Sequence, residues 1–184
     1  MNEPVRLALS QTQLLVVDVQ ERLLPHIADH EEMLAQCLLA IRAAREMELP
    51  ITVSEQYPEK LGPTAPDLAR AAGDAPRVSK MTFSSMADAA ARERLTARRR
   101  PTVLLIGIET HVCVQQTALD LLAARMTPVI LADAVSSRRR ADRDVALERM
   151  RSAGAVVTTV ESALYELLHE AGTPLFRRIL PLVR

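Results

Sequence analysis

Two short runs in this chain are apolar at almost every position: LLVVDV at residues 14–19 and TVLLIG at residues 102–107. A strand with one face in water alternates apolar and polar residues. A strand apolar throughout has both faces covered, which is the habit of parallel sheets. These runs alternate with longer segments of helical period. Leu14–Val19 reads as the first strand, and Glu31–Glu48 as a helix carrying Met33, Leu34, Leu38, Ile41, Ala44 and Met47 on one face. Pro50 ends that helix, and Ile51–Ser54 is a second strand. Glu55–Pro66, with three prolines and a glycine, reads as a loop, and Arg77–Ser79 as a third strand. Ala87–Arg98 is a helix with Ser85 or Asp88 as its cap, and Thr102–Gly107 is the fourth strand. Val112–Arg125 (helix), Pro128–Ala132 (strand), Arg140–Ser152 (helix, stopping at Gly154) and Ala155–Thr159 (sixth strand) follow. Ser162–His169 is a helix, and Leu175–Val183 a last one broken at Pro181.

Strand–helix alternation predicts an α/β domain with a parallel sheet covered on both faces. The 184 residues fit one domain, and no repeat, linker or low-complexity tract divides residues 1–184. In such sheets ligands bind beyond the carboxyl ends of the strands. Three reactive side chains fall there: Asp18 at the end of the first run, Lys80 after the third strand, and Cys113 just after the fourth. None of the five glycines pairs with another to make G-x-G-x-x-G or a phosphate loop, so no cofactor is expected. Lys plus Arg equals Asp plus Glu at 23 each, and the aromatics are two Phe and two Tyr, which argues against nucleic acid as a partner. No segment approaches the ~20 apolar residues of a membrane span, and no secretory signal is evident, so a cytoplasmic protein is expected.

Cys113 sits in GIETHVCVQQTALDLL, where a strand ends at Gly107 and a helix opens. A helix start favours thiolate through its unpaired N–H groups and dipole, and a lowered thiol pKa is the expectation there. From position alone the alternative, a buried structural cysteine, stays open. Asp18 after four apolar residues is costly unless paired or functional. A lysine beside a thiol stabilises thiolate, and a carboxylate beside both can carry its proton. Cys37, within a helical pattern, reads as an inert core thiol. His111 reads as a loop histidine that could tune the nucleophile.

LLVVDVQ, SKMTFSSM around Lys80 and GIETHVCVQQTALDLL, in that order, resemble the isochorismatase-like cysteine hydrolases. SEQYPEKLGPT, DAVSSR and ALERMRSAGAVVTT resemble the subgroup of isochorismatase domain-containing proteins. The resemblance implies a three-layer α/β/α fold with a six-stranded parallel sheet of Rossmann-like topology. It implies an Asp–Lys–Cys triad at Asp18, Lys80 and Cys113, and a cis peptide between Ile108 and Glu109. It gives the backbone N–H groups of Glu109 and Cys113 to an oxyanion hole, and Gln20 and Phe83 to the substrate pocket. Isochorismatases proper lack the cysteine. The Asp and His metal site of nicotinamidases has no counterpart between His30 and His111, where Gln56 and Tyr57 occupy the corresponding loop, so no metal is expected. The implied activity is cleavage of a small amide or carbamoyl-type C–N bond through a thioester. The competing classes are a non-catalytic scaffold on a hydrolase fold and a redox-active thiol protein. Apolar side chains in LFRRILPLVR, near the chain end, call for cover and suggest a homo-oligomer.

Overall fold

The computed structural model describes residues 5–184. Six strands form one parallel sheet: β1 (Thr12–Val17), β2 (Ile51–Gln56), β3 (Arg77–Lys80), β4 (Thr102–Ile108), β5 (Thr127–Ser136) and β6 (Val156–Thr158), in spatial order β3-β2-β1-β4-β5-β6. The helices are α1 (His30–Glu46), α2 (Pro58–Leu61), α3 (Pro66–Ala72), α4 (Ala89–Ala97), α5 (Gln115–Ala123), α6 (Arg140–Ser152), α7 (Val160–Leu168) and α8 (Pro174–Ile179). The three-layer α/β/α architecture is the one expected.

Every residue of β1 and β4 is buried. Alternate residues feed opposite sides of the sheet. Leu14, Val16, Leu104 and Ile106 pack with α1, α3, α7 and α8, whereas Leu15, Val17, Val103 and Leu105 pack with α4, α5 and α6. Two cores on one sheet explain why the apolar runs show no alternation.

Several boundaries differ from the sequence reading, for traceable reasons. β1 starts at Thr12, where the buried Gln13 amide nitrogen Nε2 donates to Leu95 O and Arg100 O, so a polar residue joins the strand with its donor satisfied. It stops at Val17, since Asp18 takes a left-handed backbone (φ 51°). β5 runs on through Asp133 to Ser136, because the Asp133 carboxylate accepts from Val160 N at 2.9 Å. The expected loop at Glu55–Pro66 contains the last two residues of β2 and the single turn α2. α3 was not foreseen at all. Of the two candidate caps, Asp88 is the one used, accepting from Ala91 N at 3.0 Å. The C-terminal helix ends at Ile179 and continues as a 3-10 turn through Pro181. Its apolar side chains Leu175, Phe176, Ile179, Leu182 and Val183 pack on the α1-side core, so the chain's own domain supplies the cover. That removes the sequence-based reason for expecting an oligomer.

From β1 the chain builds outward to β2 and β3, then crosses back to lay β4 against β1 and continues to β5 and β6. The order reverses between β1 and β4, and a crevice opens at such a reversal beyond the strand ends. Val17, the last residue of β1, pairs with Gly107 of β4 there.

Candidate active site

Asp18 is the first residue beyond β1, Lys80 the last of β3, and Cys113 lies five residues beyond β4. The structure brings all three together at the crevice. Asp18 is fully buried, Lys80 is 2% exposed and Cys113 6%. Lys80 Nζ donates to Asp18 Oδ2 at 2.7 Å. It also donates to Gln56 Oε1 at 2.8 Å, Phe83 O at 3.1 Å and Thr82 O at 3.2 Å. The other Asp18 oxygen accepts from Ser54 Oγ at 2.7 Å, and Asp18 N donates to Ser54 O at 3.1 Å. A buried ion pair persists only when its remaining hydrogen-bonding capacity is met, and here four acceptors surround one ammonium.

Ser54 and Gln56 complete this buried cluster, and sequence reasoning missed both. Ser54 reads as the tail of a strand, and Gln56 as loop. The usable signal was their spacing: Ser54 and Gln56 are two apart, so they project to the same side of β2. Gln56 fixes Lys80 through Oε1 and anchors the next loop by donating from Nε2 to Met81 O at 2.9 Å.

The turn carrying the thiol is not the α-helix start expected from sequence. Thr110–Val114 is a π-helical turn, and α5 begins only at Gln115. The Ile108–Glu109 peptide bond is cis. The expected lowering of the Cys113 pKa is also corrected. Burial pushes the thiol up, and the Asp18 carboxylate raises it further by its charge and as an acceptor for the thiol proton. Lys80 pulls the other way, and Glu109 adds to the rise. The balance of these influences lies on the side of the thiol.

Gln20, assigned to the substrate pocket by resemblance, is fully buried and braces a loop instead. Its Nε2 donates to Gly62 O at 2.6 Å and Gln56 O at 3.0 Å, and its Oε1 accepts from Gln56 N at 2.8 Å. Phe83 is 53% exposed, with Met81 and Tyr57 also exposed on the loops following β3 and β2. Glu109 accepts from Arg138 N and Arg138 Nε, each at 3.0 Å. His111 Nδ1 lies 2.9 Å from Ser137 Oγ, so its ring engages the end of β5. Cys37 packs in the α1-side core while Cys113 packs in the other, so the sheet separates the two thiols and Cys37 cannot serve Cys113 as a resolving partner. No group of three or more His, Cys, Asp or Glu side chains suited to a metal gathers among the described residues.

The opposing influences on Cys113 give a signed prediction. Asp18→Asn and Lys80→Ala should each reduce turnover by about 10²–10⁴-fold, the usual worth of a positioned proton carrier. Their effects on iodoacetamide alkylation should differ in sign. Asp18→Asn removes a group that raises the thiol pKa, so Cys113 alkylates faster at a given pH. Lys80→Ala removes one that lowers it, so alkylation slows. Shifts of the same sign in both variants would separate one of them from the thiol.

Comparison with known proteins agrees with the geometry. The chain matches the Isochorismatase domain over residues 12–162. It is 41% identical over 171 residues to isochorismatase domain-containing protein 2A of Mus musculus, covering 93% of this chain and 82% of that protein. The solved structure of MAR1 ribonuclease from Caenorhabditis elegans superposes with a TM-score of 0.91 at 36% identity, over 97% of this chain and 92% of that one. The YcaC gene product of Escherichia coli, an octameric hydrolase of unknown specificity, shares the fold with a TM-score of 0.90 at 22% identity, over 100% and 89% of the two chains. With the parallel sheet, the crevice between β1 and β4 and the domain match all in agreement, the chain belongs to the isochorismatase-like hydrolase family.

Proposed function

We propose that this protein hydrolyses a small-molecule amide or carbamoyl-type C–N bond through a thioester on Cys113. The observation that carries the reading is the buried Asp18–Lys80 ion pair beside the buried Cys113 side chain. Asp18 takes the thiol proton as sulfur attacks the carbonyl carbon. The backbone N–H groups of Glu109 and Cys113 hold the oxyanion. Collapse of the adduct breaks the C–N bond, and Asp18 passes the proton to the departing nitrogen. Asp18 then takes a proton from water, which attacks the thioester and restores the thiol. Lys80 keeps Asp18 in place and offsets the negative charge that gathers on sulfur and carboxylate in turn. Phe83, exposed at the rim, forms part of the substrate's wall.

The name of the Caenorhabditis elegans relative raises RNA as a substrate. Cleaving RNA calls for a basic face and stacking surfaces. This chain has balanced charge and only two Phe and two Tyr, so the proposed partner is a small molecule and not nucleic acid. A cytoplasmic location is proposed with it; no helix among the described residues is long and apolar enough to cross a membrane. Assembly of like chains is proposed by analogy with the octameric hydrolase.

Ammonia release from a panel of primary amides and ureido compounds tests the function. At least one compound should release ammonia at a rate unchanged by EDTA, because the described residues offer no cluster of three or more His, Cys, Asp or Glu side chains to hold a metal. Activity lost on chelation and restored by zinc would overturn the metal-independent mechanism. RNA cleavage with no amide turnover would overturn the substrate class.

A further inference from the structure

A cavity of about 590 Å³ opens at the opposite edge of the sheet from the crevice. Its walls come from the segments that lead into the strands: Pro50 and Ile51 at the start of β2, Pro76 just before β3, and Arg98 and Arg100 before β4. These strands run parallel, so the cavity lies at their amino ends, whereas Asp18, Lys80 and Cys113 stand at or beyond the carboxyl ends. Arg45, from the last turn of α1, lines it as well. The volume is that of a small-molecule pocket.

Three arginines thus line one space, and little in the protein answers their charge. Arg45 Nη1 donates to Ala72 O at 3.0 Å and reaches Asp74 Oδ1 at 3.4 Å, but the Asp74 side chain is 96% exposed, and such a pair is weak. Arg100 Nη1 donates to two neutral acceptors, Leu9 O at 2.7 Å and Thr12 O at 2.9 Å. Arg98 has less still. Its Nη1 is buried without a hydrogen-bond partner among the described residues. The charged groups acting on it are two more cations, and burial, Arg94 and Arg100 together hold its pKa down. Glu48 and Asp74 are the acids on the wall, so three cations stand against two carboxylates in a chain whose charges balance overall. A buried N–H with no acceptor, on a cation whose charged neighbours are cations, is costly and calls for a partner.

We propose that this cavity is a second binding site, for a small organic oxyanion: a phosphate monoester or carboxylate on an apolar body, with Arg98, Arg100 and Arg45 around the anionic group. A guanidinium presents its donors in a planar fork that matches either oxyanion. The carbonyls bonded to Arg45 and Arg100 hold those two forks in place without neutralising them. Leu49, Pro50, Ile51 and Pro76 give the same cavity an apolar wall, which an organic ligand covers and an inorganic ion does not. The site shares no residue with the crevice, so it stands whether or not Cys113 is a nucleophile.

The test is calorimetric titration of the full chain, with its melting temperature, using phenyl phosphate, benzoate and inorganic phosphate at constant ionic strength. Phenyl phosphate or benzoate at about 10 mM should raise the melting temperature by about 3 °C or more, as a dissociation constant near 1 mM would give. Which of the two binds more tightly identifies the oxyanion. Inorganic phosphate should bind at least about threefold more weakly than the better aromatic probe, because it covers no apolar wall. Arg98→Met should weaken binding of that probe at least about tenfold, the worth of a hydrogen bond to a charged group. Without ligand its melting temperature should equal or exceed the native one, since the cation removed has no partner to lose. Arg98→Lys, which keeps the charge but not the fork, should bind with intermediate affinity. Equal affinity in the native chain and Arg98→Met would put the anion elsewhere and overturn the proposal. So would the absence of binding by all three probes, or inorganic phosphate binding as tightly as the aromatic ones. A ligand-free Arg98→Met that melts well below the native chain would mean that Arg98 is bonded within the fold, and would overturn it too. Failure to find amide turnover would leave these affinities untouched, so the proposal and the hydrolase reading fail by different observations.

Discussion

Cys113→Ala is expected to lower amide hydrolysis by on the order of 10⁴-fold or more, because no other group can form the thioester. The melting temperature should change by no more than about 3–4 °C. The substitution removes one sulfur atom from the edge of a core otherwise filled by Leu15, Val17, Val114, Ala118 and Leu121, a loss of about 1 kcal/mol in a domain of this size. The contrast between the two measurements carries the meaning. A structural cysteine would show the reverse: a lowered melting temperature with activity falling only as far as unfolding requires. Retained turnover in folded Cys113→Ala would remove the nucleophile assignment.

Gly107→Ala should have the largest effect on stability. Gly107 has φ 118°, a backbone region that residues with a Cβ rarely enter. A Cβ built there lies 2.1 Å from Val17 O and 2.8 Å from Val17 C and N. Those are backbone atoms of the central strand pair, so no side chain can swing aside; β1 and β4 must move apart. The expected cost is about 4–5 kcal/mol or more, seen as a fall in melting temperature of at least about 10 °C by circular dichroism. Activity should fall with it even where the variant stays folded, since Val17 precedes Asp18 and Gly107 leads into the turn that carries Cys113. An unchanged melting temperature would mean that the close approach of the two strands does not constrain this fold.

The two halves of the site were unequally legible in the sequence. Asp18 and Cys113 stood out because each follows an unbroken apolar strand, and the motifs around them, LLVVDVQ and GIETHVCVQQTALDLL, settled between a structural and a reactive reading that position alone left open. The strands themselves were legible for the same reason, since continuous burial leaves a one-dimensional trace. Ser54 and Gln56 left only their spacing of two: both are ordinary polar residues, and the parallel pairing of β2 with β1 and β3 carries them to Asp18 and Lys80. The extension of β5 through Asp133 was hidden because its partner, Val160 N, arrives from a helix twenty-seven residues later. The direction of the Cys113 pKa was missed for a related reason. Local position at a helix start argued for a lowered value, whereas burial and the Asp18 carboxylate, both tertiary, outweigh it. Gln20 was placed in the pocket by family resemblance; beyond the left-handed residue Asp18 it instead bonds into the loop at Gln56 and Gly62.

The most direct test of the central claim is intact-protein mass spectrometry of the enzyme quenched in acid during turnover of an amide that the ammonia assay has identified. The account predicts a species heavier than the free protein by the mass of the acyl group, cleaved by hydroxylamine, mapping to the peptide that contains Cys113 and absent from Cys113→Ala. A substrate hydrolysed at full rate by Cys113→Ala, or an acyl group carried on any other residue, would contradict it.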